Sequence, residues 1–164
     1  EKLVSLINLP ATILEIAGVK PPKCMRYPSI QAIMKNENLG NTVFYQISES
    51  FVGRGIRTAK WKYVVHAPHA QDLGEIDHEW SLEAFYEMVG KAKMNSDTYV
   101  ELGLFDLEND PYEKHNLVAD PVYKQVREEL RKNLIHHMLE AGEDAPEIYP
   151  AGTKLENKAQ MKKQ

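Results

Sequence analysis

Gly53-Arg54-Gly55-Ile56-Arg57-Thr58, Ala59-Lys60 and Trp61-Lys62-Tyr63-Val64-Val65 follow one another without a break. The apolar residues of this stretch recur with the period of a strand, and Ala59-Lys60 is a tight connection between its two halves. Ile56-Arg57-Thr58 and Lys60 to Val65 therefore predict a hairpin, with Trp61 and Tyr63 on one face by two-residue alternation. Upstream, Val43 to Ser48 is a short β-prone run. Downstream, Glu101 to Leu107 is a further strand, ended by Asp106, Glu108, Asn109 and Asp110. Together they predict a small antiparallel sheet of three to four strands.

A long C-terminal helix should pack on that sheet. Asp120 is a good N-cap and Pro121 a good first helical residue; Val122, Val126, Leu130, Leu134 and Met138 recur every four residues, and Gly142 closes the element. The fold class is thus α+β. Between the strands, residues 66–98 read as an insertion. Its first half is loop-like, and Trp80 to Lys93 is amphipathic, with Trp80, Phe85, Met88 and Val89 at helical spacing.

The opening segment differs in character. Leu3 to Ile7 reads as a short extended piece running into a helix from about Leu9 to Ala17, with Asn8 as cap, Pro10 in the first turn and Gly18 as the left-handed residue that ends it. An element apolar on most sides is normally buried on most sides, and the chain holds few partners for it, which points to a larger body. Lys20-Pro21-Pro22-Lys23 then breaks regular structure. A short helix over Ser29 to Lys35, with Ser29 as its cap, and a polar turn over Asn36 to Asn41 follow. Residues 1–28 are expected to be a terminal strand–helix segment of an upstream α/β domain, 29–150 a C-terminal subdomain, and 151–164 a polar tail.

Composition excludes several function classes. The 164 residues are 43% hydrophobic and 27% charged, with 20 Lys+Arg against 24 Asp+Glu. A net charge of −4 argues against nucleic acid as the main partner. No run of eighteen apolar residues occurs, so no membrane partner is expected. Cys24 is the single cysteine, which rules out an internal disulfide framework and any multi-cysteine zinc site. The chain starts at Glu1 with no signal peptide ahead of its first element, so its N-terminus is expected to be cut.

His66-x-x-His69, followed by Asp72, Asp77 and His78, gathers metal-type ligands, but its spacing matches no zinc pattern and an exposed polar loop is the plainer reading. A calcium loop starting at Asp106 would need glycine where Pro111 stands and glutamate where Leu117 stands. His136 and His137 are helix neighbours and diverge. Arg54, Arg57, Lys60 and Lys62 form a basic strand–turn–strand patch suited either to an anion, because arginine presents a planar fork to sulfate or phosphate oxygens, or to carboxylates on a neighbouring element. No histidine lies near Cys24, whose default is an inert thiol. Gly-x-Ser-x-Gly, His-Glu-x-x-His and a convincing carboxylate pair are all missing. No catalytic residue and no metal ligand is assigned.

Val4-Ser5-Leu6-Ile7-Asn8-Leu9-Pro10-Ala11-Thr12-Ile13-Leu14 with Ala17-Gly18 resembles the late helix of the type I sulfatases, where it belongs to the large α/β catalytic domain. Gly53 to Thr58 followed by Lys60-Trp61-Lys62-Tyr63 resembles the sheet of their smaller C-terminal subdomain. Leu104-Phe105-Asp106-Leu107-Glu108-Asn109-Asp110-Pro111-Tyr112-Glu113 with Asn116-Leu117 is similar to its closing strand and turn, and the Asp120-Pro121 helix to its terminal helix. The anchors run in family order from residue 4 to about 142.

The resemblance implies a sulfate ester hydrolase with an alkaline-phosphatase-like core. In that family a cysteine in Cys-x-Pro-Ser-Arg becomes formylglycine, a calcium ion neutralises the sulfate oxygens, and Lys or His assists the leaving group. Cys24 departs from the motif, with Arg26 where proline is required. Formylglycine and calcium are therefore implied for the full-length enzyme and neither for this chain, which is expected to lack sulfatase activity alone. Asn8 stands where the family usually has Asp, a cap-compatible change.

The resemblance also implies partners: an upstream catalytic domain, a sulfate ester substrate, and self-association through the first helix when that domain is missing. It points to a periplasmic or extracellular setting. Arg54, His66 and His69 are the substrate-binding candidates, because the subdomain lines one side of the family's pocket. A phosphonate or phosphodiester hydrolase tail of the same superfamily and a non-catalytic sugar-binding module are the alternatives.

Overall fold

The computed structural model describes residues 2–25, 27–48, 51–67 and 95–155. The amphipathic segment expected over Trp80 to Lys93 lies outside them. The described residues form an α+β structure. Strands β1 (Thr42–Ile47), β2 (Gly53–Thr58), β3 (Trp61–His66), β4 (Thr98–Asp106) and β5 (Glu147–Tyr149) make one sheet in sequence order. β1 to β4 pair antiparallel, as the hairpin reading requires, and β5 adds a parallel edge. The sheet thus has one strand more than expected. Three residues flanked by Pro146 and Pro150 are too short to display a period, and pairing with β4 is what makes them a strand.

Helices α1 (Leu9–Ile16) and α2 (Ile30–Lys35) precede the sheet, and α3 (Lys124–Glu140) follows β4. Ile56, Tyr63 and Leu104 stand opposite one another on β2, β3 and β4 and are fully buried beneath Leu130, Leu134 and Met138 of α3. Val126 packs at the edge of this core, whereas Val122 is 81% exposed. A four-residue repeat overshoots one α-helical turn by about 40°, and Val122 lies ahead of α3 in a 3-10 turn, so the first member of the stripe leaves the sheet. Asp120 accepts a hydrogen bond from the Val122 amide at 2.9 Å, capping a 3-10 turn (Pro121–Tyr123) that leads into α3. Gly142 ends the helix at φ +90°, with the Glu143 amide bonded back to the Met138 carbonyl.

The N-terminal pair is built inside out. Residues Leu6–Asn8 form a 3-10 turn rather than the extended piece expected, and α1 follows directly. The buried residues of α1 are Ala11 and Thr12. Thr12 Oγ1 donates to the Asn8 carbonyl and accepts from the Ile30 amide. Asn8 does not cap α1 with its side chain; it accepts from the Ser5 amide and donates to the Pro28 carbonyl, both at 2.8 Å. Ser29 caps α2 as expected and also donates to Glu15. Polar groups therefore dock α2 on α1, while Leu6, Ile13 and Ile16 are 82%, 64% and 73% exposed.

Candidate functional site

The hairpin's four cations go separate ways. Alternation places Arg54 on the same face as Ile56, under the end of α3, where it is 2% exposed. Its Nε meets both carboxylate oxygens of Glu143 at 2.9 and 3.0 Å, its Nη1 donates to the Gly53 carbonyl, and the guanidinium lies 5.9 Å from the Tyr99 ring centre. Lys60, at the turn, pairs with Glu108 at 3.0 Å and Asp106 at 3.7 Å. Lys62 pairs with Glu113 at 2.5 Å, and Arg57 is exposed.

His66 closes β3 and pairs in register with Val100 of β4. A β-bulge between Val64 and Val65 precedes it, a device that commonly re-aims the side chains beyond it. His66 borders a cleft of about 600 Å³ with Val100 and Leu102 on one side and Ala151, Thr153 and Lys154 on the other. Partial burial pushes the His66 imidazole below its ordinary pKa, so it is held in the neutral form. A neutral imidazole presents one donor and one acceptor, and Lys154 adds a cation beside it. The cleft can therefore hold a polar, negatively charged group against an apolar wall.

Beneath the cleft lies a second buried network. Glu101, also part of the cleft lining, accepts from Tyr63 Oη at 3.0 Å and Arg131 Nη2 at 2.6 Å, with Arg127 Nε at 3.4 Å. Burial, reinforced by the Glu101 charge, raises the Tyr63 phenol well above its ordinary range. These groups anchor α3 to β3 and β4. Sequence reading missed Glu101 as a buried charge because its cationic partners sit a helix away. Asn116, which entered only as part of the resemblance, accepts from the Leu104 and Val118 amides and donates to the Leu102 carbonyl, continuing β4's edge with a side chain.

Arg54 and His66 thus do not converge: one faces α3 and the other the cleft. His69 lies outside the described residues. Cys24 is exposed, and among the described residues no three His, Cys, Asp or Glu side chains group as a metal site.

No family model matches the chain. Two curated proteins, both ulvan-active sulfatases of Formosa agariphila, are 29% and 27% identical to it over 152 and 160 residues. They cover 87% and 88% of this chain and 30% and 26% of their own length. The chain is homologous to sulfatases. Its similarity is to a part of a sulfatase, consistent with a C-terminal portion. Among solved structures, the fold matches BT4656, captured with its substrate D-glucosamine-2-N,6-O-disulfate, with a TM-score of 0.57 at 18% identity, over 85% of this chain and 24% of that one. BT1596, a 2-O GAG sulfatase, gives 0.56 at 21% identity, over 84% and 25%. These sulfatases share the α+β arrangement of sheet and long C-terminal helix, and the chain spans less than a third of the length of the curated relatives.

Proposed function

We propose that this chain is the C-terminal part of a sulfuric ester hydrolase. It docks on an upstream α/β catalytic body through the apolar face of α1 and lines one wall of the sulfate-ester pocket with the His66 cleft. The observation that carries this reading is the inverted α1. A turn and helix that bury Asn8, Ala11 and Thr12 and present Leu6, Ile13 and Ile16 are laid out for a partner on their outer side. Each such side chain gains roughly 1.5–3 kcal/mol when fully covered. Partial coverage of sulfatases of greater length supports the same view.

His66 is the substrate-facing residue of this reading, with His69 beside it in sequence. Arg54 supports the wall from behind, because Glu143, which it holds, leads through β5 to Ala151, Thr153 and Lys154. Formylglycine and calcium belong, in this reading, to the catalytic body, and the chemistry of S–O cleavage with them.

The test is sulfate release. The chain by itself, supplied with calcium, is expected to liberate no sulfate from 4-nitrophenyl sulfate. Turnover above the buffer rate would overturn the assignment, because it would require a complete reactive centre within these residues.

A further inference from the structure

The face of the sheet turned away from α3 carries an imbalance that packing does not explain. Arg57 of β2 and Lys62 of β3 stand directly opposite in register. Like charges in that position destabilise a strand pair. One carboxylate, Glu113, reaches Lys62 at 2.5 Å; Arg57 is exposed and has no ion pair among the described residues. Glu113 is held with φ +55°, the one non-glycine residue at positive φ among those described. Backbone strain of this kind persists where surrounding structure enforces it and is frequent at binding sites.

Beside these charges lies Tyr45 of β1, diagonal to Arg57 and directly opposite Gly55. The tyrosine ring occupies the space that a side chain at Gly55 would fill. Its hydroxyl is covered and has no hydrogen-bond partner among the described residues. Burial, then the Glu113 charge, raises the phenol to about 12, with Arg57 opposing, so the group remains a neutral donor. Lys62 Nζ lies 5.9 Å from the Phe105 ring centre, which extends the aromatic surface across the sheet.

We propose that Tyr45, Arg57 and Lys62 form a binding site for a sulfated saccharide chain, separate from the His66 cleft. The guanidinium fork of Arg57 takes sulfate oxygens, and the Tyr45 and Phe105 rings receive the apolar faces of sugar rings, while the Tyr45 hydroxyl stays covered. Lys62 already has Glu113 as its counter-ion, so it is the charge of Arg57 that binding neutralises. The saccharide character of the ligand rests on the reading of the chain as part of a sulfatase; the anion preference rests on the charges alone.

Calorimetric titration of the full chain tests this, using a heparin hexasaccharide and its desulfated counterpart as probes. The sulfated probe is expected to bind at least about tenfold more tightly than the desulfated one, and Arg57→Ala to weaken it by about tenfold. Tyr45→Leu, which removes the ring, should weaken it several-fold, and Lys124→Ala on α3 should leave it unchanged. Because Arg57→Ala removes a like-charge pair, its melting midpoint should equal or exceed that of the parent, which separates lost binding from lost folding. Equal affinity of parent and Arg57→Ala, or of the sulfated and desulfated probes, would overturn the site. Neither outcome bears on sulfate release, so this proposal and the functional one fail separately.

Discussion

Removing the carboxylate of Glu143 would take from the buried Arg54 guanidinium the counter-charge that its Nε meets. Glu143→Ala is expected to destabilise the chain by roughly 3–5 kcal/mol, whereas Arg54→Met with Glu143→Leu should come close to the parent, since an apolar pair avoids desolvating two ions; urea denaturation reads both. The linkage at His66 has the opposite character to a salt bridge. Partial burial holds its folded pKa below the ordinary value of 6.5, so the folded state resists a proton that the unfolded chain accepts. Stability from this group is complete above about pH 6.5 and declines as pH falls through the folded value. An NMR titration should show the His66 midpoint depressed, and His66→Gln should lose less stability than the parent between pH 7.5 and 5.5. Arg54 shows what sequence reading could and could not reach. Its place in the basic strand–turn–strand patch, and a carboxylate as one of its two possible partners, were legible; which carboxylate, 89 residues away, was not, because no local pattern relates two charges that meet only after α3 has crossed the sheet.

Elements with a strong local signature emerged where the sequence placed them. The β2–β3 hairpin, α3, the Ser29 and Asp120 caps and the left-handed Gly18 and Gly142 are all written in nearest-neighbour chemistry. The α3 stripe was read too generously at its start, because four-residue spacing drifts around the helix. Leu134, fully buried at the centre of the helix–sheet contact, is where that face matters most. Leu134→Ala is predicted to cost about 2–5 kcal/mol, and Val122→Ala less than about 0.5 kcal/mol, in matched thermal or urea melts. β5 was invisible in advance: a three-residue edge strand draws its identity from the β4 backbone it joins.

At the scale of the whole molecule, the outer side of α1 and the turn before it expose Leu6, Ile13 and Ile16 together. Left without a partner, this surface should drive association of the chain in solution. Sedimentation is expected to show a concentration-dependent shift above monomer, and Ile13→Glu with Ile16→Lys to abolish it. The melting midpoint should change little, because neither side chain contributes to the described core. A strictly monomeric parent, with α1 ordered and exposed, would contradict the docking role.

Amino-acid order alone determined the α+β class, the antiparallel hairpin, the sheet-packing helix and most caps, because those depend on periodicity and on hydrogen bonds between near neighbours. The folded chain decided which hairpin cation is buried and which is left facing outward, the seat of Glu101 under α3, the parallel edge strand and the outward apolar side of α1. Each of those depends on which distant segment arrives opposite a given side chain, and that is settled only when the sheet closes against α3.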